Sequence, residues 1–196
     1  MQDVAKKRVA LFFGSFNPIH IGHLALANYI AEFASVDEVR FVVSPQNPFK
    51  QNMELLDDKI RLEMVAAAIA GYAKFSVTDI EFSMPKPSYT CETLKALSEQ
   101  EPNTDFILVM GADNIVSFGK WRRYDWILEN YQLMVYPRPG YSTDHPAEWE
   151  NVSVIEAPIF EISSTLIRQA VKEGKDVRYF VHHKVMEMIN ERSLYV

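Results

Sequence analysis

Cysteine is almost missing. Only Cys91 occurs among the 196 residues, so no disulfide can form within the chain and a reducing compartment suits it. No run of 18 apolar residues is present, so no membrane-spanning helix is expected. The first residues lack the apolar core of a secretory leader. Basic charge is not in excess either. The formal net charge is −6, which argues against a broad nucleic-acid-binding surface. No internal repeat, low-complexity tract or linker breaks the chain. These absences predict one soluble cytoplasmic domain over residues 1–196, with neither membrane nor nucleic acid as partner. A hydrophobic content of 48% is enough for a sizeable core.

Two common phosphate loops are also missing. There is no Gly-x-x-x-x-Gly-Lys-Ser/Thr and no Gly-x-Gly-x-x-Gly. What stands instead is Gly14-Ser15-Phe16-Asn17-Pro18-Ile19-His20-Ile21-Gly22-His23, directly after the apolar run 9–13. That run reads as a buried strand, and a helix should begin near residue 21. A helix N-terminus carries unpaired N–H donors and roughly half a positive charge. Gly14 allows close approach to the main chain, Pro18 stiffens the turn, and Gly22 clears space beside the imidazoles. His20 and His23 are three apart and share a helix face. Two imidazole donors over a helix N-terminus suit a polyphosphate. By itself the pair also fits an ordinary helix start. A zinc site would need a third ligand, and none lies at a metal-like spacing.

Apolar runs and helical periods alternate along the chain. Strands are expected at 8–13, 38–43, 75–79, 105–110, 132–136 and 152–155. Helices are expected at 21–34, 57–70, 90–100, 124–130, 163–172 and 176–191. The prediction is an α/β fold: a Rossmann-like doubly wound parallel sheet with helices at the C-terminal end. In such a sheet ligands bind where strands end. The loop 44–52, carrying Lys50, and the turn Gly111-Ala112-Asp113-Asn114 both leave that edge.

Ile162-Ser163-Ser164-Thr165-Leu166-Ile167-Arg168 is the second strong motif. Either serine can cap a helix. The same hydroxyls and N–H groups, with Arg168 one turn on, can also grip an anion. Asp113 could cap a short helix or accept hydrogen bonds from a ribose diol. Trp121 could cover a small core or stack on a flat heteroaromatic ring. Tyr89 and Thr90 could open a helix or present donors to a small anion. Lys50 could be a solvated charge or a phosphate contact. Cys91 reads as a small buried residue. Lys50, Lys120, Arg122, Arg123 and Arg168 are the basic groups an acidic protein would gather around a nucleotide.

The histidine stretch resembles the signature of the nucleotidyltransferase superfamily, which includes class I aminoacyl-tRNA synthetases and small adenylyltransferases. The Ile-Ser-Ser-Thr-x-x-Arg element resembles that of the small adenylyltransferases. No synthetase Lys-rich loop occurs. Pro45-x-x-Pro48-x-Lys50, Arg61-Leu62-Glu63-Met64, Pro87-Ser88-Tyr89-Thr90-x-x-Thr93-Leu94 and Gly-Ala-Asp followed by Trp121 come in an order that resembles the bacterial nicotinate-nucleotide adenylyltransferases. The likeness runs from residue 9 to about residue 189.

That resemblance implies transfer of AMP from ATP to nicotinate mononucleotide, giving deamido-NAD and pyrophosphate in NAD biosynthesis. It implies Mg2+ brought with ATP rather than a protein metal site. It implies His20, His23 and Arg168 as catalytic residues. ATP would be held by Gly14, Ser15, Phe16, His20, His23, Gly111, Asp113, Ile162, Ser163, Ser164, Thr165 and Arg168. The acceptor would meet Asn17, Lys50, Tyr89, Thr90, Trp121 and Arg122, with the Thr90 and Arg122 N–H groups on its carboxylate. Two residues depart from the pattern. Asn17 stands where many members have Asp, and Arg122 where members often have Tyr or His. Rival readings are a small adenylyltransferase acting on nicotinamide mononucleotide, phosphopantetheine or FMN, and a non-catalytic nucleotide-binding protein. A homo-oligomer is compatible with the sequence, which does not determine it.

Overall fold

A computed structural model describes residues 5–45 and 55–196. Six strands form one sheet: β1 (Lys7–Gly14), β2 (Glu38–Val43), β3 (Phe75–Thr78), β4 (Thr104–Gly111), β5 (Gln132–Tyr136) and β6 (Val152–Val154). Their order is β3-β2-β1-β4-β5-β6, and every pairing is parallel. Parallel sheets are covered on both faces, so their strands read as continuous apolar runs. Val9, Ala10 and Leu11 are all 0% exposed.

Side chains alternate across the pleat. Ala10 and Phe12 face one core, with α1 (Ile21–Phe33), α2 (Asp58–Ile69), α6 (Ser164–Lys172) and α7 (His183–Glu191). Val9 and Leu11 face the other, with α3 (Thr90–Gln100), α4 (Ala112–Ile115) and α5 (Tyr124–Asn130). Helices on both faces and this strand order make the expected doubly wound Rossmann-like sheet. The order reverses between β1 and β4. Their carboxyl ends therefore open a crevice, which receives the turns after Gly14 and Gly111.

Element positions agree with the sequence reading except at the last helix. It was expected from residue 176 and begins at His183. A left-handed glycine and hydrogen bonds at both ends of the segment hold the intervening residues in a turn. Gly174, at φ +70, ends α6. The Asp176 carboxylate accepts from the Arg178 N–H and guanidinium. The Phe180 carbonyl accepts the Ile21 N–H at the start of α1 (2.9 Å). A helical pattern thus yields to a tertiary partner for an otherwise unpaired donor.

Candidate active site

His20 is the N-cap of α1, with extended backbone (φ −140°). Its ring stacks on that of His23, with centroids 3.7 Å apart. The His20 N–H donates to His23 Nδ1 (3.3 Å). His23 in its neutral form therefore carries its proton on Nε2, as a donor. Phe12 and Phe16 meet the His23 ring edge-on.

The fold places a further demand on Gly14. A Cβ there would lie 2.8 Å from two ring carbons of Phe16. Phe16 itself turns at φ +45, and its ring occupies the space a side chain would fill. Gly22 does clear room beside the imidazole: a Cβ would stand 3.2 Å from the His20 ring and 3.3 Å from Phe160.

His20 is only 5% exposed. Burial first, then the nearby Arg138 guanidinium, lowers its pKa from 6.5 to about 4. The folded protein thus holds His20 neutral where the unfolded chain would protonate it. Stability from this source is complete above about pH 6.5 and is lost as pH falls towards 4, since the unfolded state takes up the proton there. The loss is about 3 kcal/mol at pH 4. Urea unfolding at pH 7 and pH 4 should show that excess loss in the wild type over His20→Gln. Parallel declines would mean that the fold does not hold this imidazole neutral.

The serine-rich motif meets the same corner. Ser163 caps α6, accepting the Leu166 N–H (3.2 Å). The Ser164 hydroxyl donates to the Pro18 carbonyl (2.9 Å). Arg168 donates from Nη1 to the Asn17 carbonyl (2.8 Å) and from Nη2 to Thr165 Oγ1 (3.3 Å). Ser164 and Arg168 therefore brace the histidine loop. Ile162 packs against the first core. Ser15 contributes its carbonyl, which accepts from Arg61 Nη1 (2.5 Å).

Asp113 sits inside α4, whose N-cap is Gly111, so Asp113 is not the helix cap. Asp113 Oδ1 lies 3.5 Å from Arg138 Nε and has no hydrogen-bond partner in the fold. A Cβ at Gly111 would collide with that oxygen and stand 3.1 Å from Arg138 Nε. Arg138 stands beside Asp113 and His20 in the candidate site, and no sequence motif includes it. It stands just beyond β5 in Pro137-Arg138-Pro139-Gly140, and a cation and turn residues after a buried strand were the available signal.

Tyr89 is the N-cap of α3. The N–H of Thr90, in the first turn, has no acceptor within the helix. The Arg122 guanidinium lies 4.8 Å over the Tyr89 ring. Trp121 packs on Phe118 (5.3 Å between centroids), while its buried Nε1–H has no partner. It is thus part of a small core and also a donor awaiting an acceptor. A groove of about 590 Å³ runs past Tyr89, Arg122 and Glu92. No residue of the histidine corner lines it. Lys50 lies outside the described residues.

Among the described residues, no group of three or more His, Cys, Asp or Glu side chains is placed to hold a metal ion. No helix among the described residues is long and apolar enough to cross a membrane.

The chain matches the cytidylyltransferase-like family over residues 11–170. A Bacteroides fragilis protein named "Probable nicotinate-nucleotide adenylyltransferase" is 49% identical over 190 residues, covering 97% of this chain and 94% of the relative. A Cytophaga hutchinsonii protein of the same name is 50% identical over 188 residues, with 96% and 98% covered. Plasmodium falciparum nicotinic acid mononucleotide adenylyltransferase complexed with NaAD superposes with a TM-score of 0.81 at 21% identity, over 96% of this chain and 97% of that one. At that identity the superposition speaks for the shared fold. By the family match and these near full-length identities, the chain belongs to the cytidylyltransferase-like proteins and, among them, to the nicotinate-nucleotide adenylyltransferases.

Proposed function

We propose that this site transfers the adenylyl group of ATP to the 5′-phosphate of nicotinate mononucleotide. An acceptor phosphate oxygen bonds to the α-phosphorus of ATP as the bond to the β-phosphate oxygen breaks. The products are nicotinate adenine dinucleotide and pyrophosphate. The observation that carries this reading is the stacked His20–His23 pair, braced by Ser164 and Arg168. It lies in a chain whose relatives bear the name of that activity. We place the reaction in the cytoplasm.

A phosphate monoester is already a nucleophile at neutral pH, so no general base is needed. Catalysis is positioning together with stabilisation of developing charge. His20 is neutral and donates a hydrogen bond to the α-phosphate as charge builds there. His23 donates from Nε2 to the outer phosphates. Ser164, Thr165 and Arg168 keep their bracing bonds and complete the anion cradle with the helix N-termini. Mg2+ brought with ATP would, when bound, supply charge neutralisation for the leaving pyrophosphate. Gly111 and Asp113 serve the ATP ribose, with the orphan Asp113 Oδ1 as acceptor.

On the acceptor side, Trp121 and Tyr89 flank the pyridine ring. The Thr90 and Arg122 N–H groups take its carboxylate, and Asn17 lies towards its phosphate. Trp121→Ala should raise the KM for nicotinate mononucleotide about tenfold, as loss of one aromatic stack would. The KM for ATP should stay within about twofold. Steady-state kinetics with each substrate varied in turn reads this directly. Equal rises in both would make Trp121 only a lid over Phe118.

A further inference from the structure

Ser88 and Thr93 flank the Tyr89–Thr90 step on the acceptor side, and both are buried. Between them lies Glu81, from the short 3-10 turn Ile80–Ser83 that follows β3. Glu81 is itself only 2% exposed. Ser88 Oγ donates to Glu81 Oε2 (2.8 Å), and Thr93 Oγ1 donates to Glu81 Oε1 (2.7 Å). A carboxylate is costly to bury, and its usual compensation is a cation. Glu81 is held by two hydroxyls instead, one on each side of a single dipeptide.

Ser88 ends the proline-rich loop, and Thr93 stands in the first turn of α3. With both tied to one carboxylate, the step from loop to helix cannot slide or unwind without breaking a buried bond. The Thr93 N–H also donates to the Tyr89 carbonyl (3.2 Å), as does the Glu92 N–H (2.9 Å). The turn that Thr93 anchors is therefore the one that opens at Tyr89. Tyr89 and Thr90 are half-buried, while Ser88 before them and Cys91 after them are buried. The clamp thus leaves this dipeptide at the surface, where Ser88, Tyr89 and Arg122 line the groove. The histidine corner is braced separately, by Ser164 and Arg168.

We propose that Glu81 is a positioning residue of the acceptor site, whose carboxylate ties Ser88 to Thr93 and so sets where the Tyr89 ring and the Thr90 N–H stand for the nicotinate moiety. This rests on the adenylyl-transfer reading above. Ser88 and Thr93 belong to a motif legible in the sequence, and Glu81, seven residues before Ser88, is the partner that makes them a unit.

The test is steady-state kinetics of pyrophosphate release by the full-length protein, with each substrate varied in turn. Glu81→Met keeps the length of the side chain and cuts both arms of the clamp. It should raise the KM for nicotinate mononucleotide about five- to tenfold, the worth of one hydrogen bond at the displaced donors. The KM for ATP should stay within about twofold. Glu81→Gln should leave both KM values within about twofold, because an amide can accept from Ser88 and donate to Thr93. The Thr93 hydroxyl proton is then free for the Tyr89 carbonyl (3.4 Å). Ser88→Ala cuts one arm alone and should raise the same KM about threefold, which carries the test if Glu81→Met does not fold. Equal rises in the two KM values would overturn the proposal. So would a lowered melting temperature with both KM values unchanged, which would make the clamp purely structural. A Glu81→Gln protein as impaired as Glu81→Met would also overturn it, since the effect would then lie in the charge. The wild-type rate in the same assay separates the two levels. If it is absent with nicotinate mononucleotide, the functional reading fails and the proposal with it. If it is present and the KM values do not split, the proposal alone fails.

Discussion

Replacing His20 by alanine should lower kcat by a factor on the order of 10²–10⁴, comparable with loss of one preorganised donor to a developing oxyanion. His20 is nearly closed to solvent and held neutral. On the proposed reading its contribution is a fixed hydrogen bond in a water-poor site rather than a standing positive charge. In such surroundings a donor already in place needs no reorganisation as the α-phosphate gains charge. Single-turnover rates at saturating ATP would isolate the chemical step from binding. A drop below about tenfold, with the thermal transition intact, would remove His20 from the chemistry. The stacked His23 ring gives a second check. It keeps its Nδ1 on the His20 backbone N–H, whatever side chain residue 20 carries. Nucleotide binding should therefore survive His20→Ala better than turnover does.

Arg61→Met should have the largest effect on stability. Arg61 is 0% exposed. Its Nη1 donates to the carbonyls of Ser15 (2.5 Å) and Ser44 (2.9 Å). Its Nη2 donates to Asp58 Oδ1 (2.5 Å) and the Pro45 carbonyl (3.4 Å). Nε donates to the Leu56 carbonyl (3.0 Å). One guanidinium thus ties the histidine loop to the loop after β2 and to the start of α2. Asp58 extends the tie to Lys86 in the proline-rich loop before Tyr89 (2.9 Å). Methionine fills similar space but leaves these buried acceptors without donors and Asp58 without its guanidinium. The expected cost is about 3–5 kcal/mol, or roughly 10 °C in Tm for a chain of this size. Lysine should restore only part of it, because an ammonium is a point charge with three donors and cannot span the fork. Calorimetry on the three proteins would measure this. A Tm within about 2 °C of wild type for Arg61→Met would show that these loops do not depend on the clamp.

The parts of the site legible in the sequence are those carried by local pattern. An apolar run followed by the His20–His23 stretch, and a serine-capped helix bearing Arg168, each declare themselves within ten residues. The alternation of strands and helices gave the parallel sheet, and with it the edge where these motifs meet. Arg61 was noticed only as part of a shared segment. Its role depends on the carbonyls of Ser15, Ser44, Pro45 and Leu56, and no spacing encodes that. Arg138 had a weak local signal. The contact of the Tyr195 hydroxyl with Asn17 Oδ1 has none, since the two residues lie 178 apart. The start of α7 departs from the helical pattern of its sequence for a similar reason: the segment before it is shaped by the Ile21 N–H, which belongs to another helix. The steric demand on Gly14 is another feature that no local pattern encodes. It follows from where the Phe16 ring falls, which only the folded chain shows.

The most direct test of the central claim is pyrophosphate release with Mg-ATP and either nicotinate mononucleotide or nicotinamide mononucleotide, run in parallel. Two charge-assisted hydrogen bonds to the nicotinate carboxylate should favour it in kcat/KM on the order of a hundredfold or more. That preference is the expected result, and a small preference in the same direction would weaken only the assignment of the Thr90 and Arg122 N–H groups. Equal or faster turnover of the nicotinamide nucleotide would contradict the account of the acceptor, and no pyrophosphate from either would contradict the account as a whole.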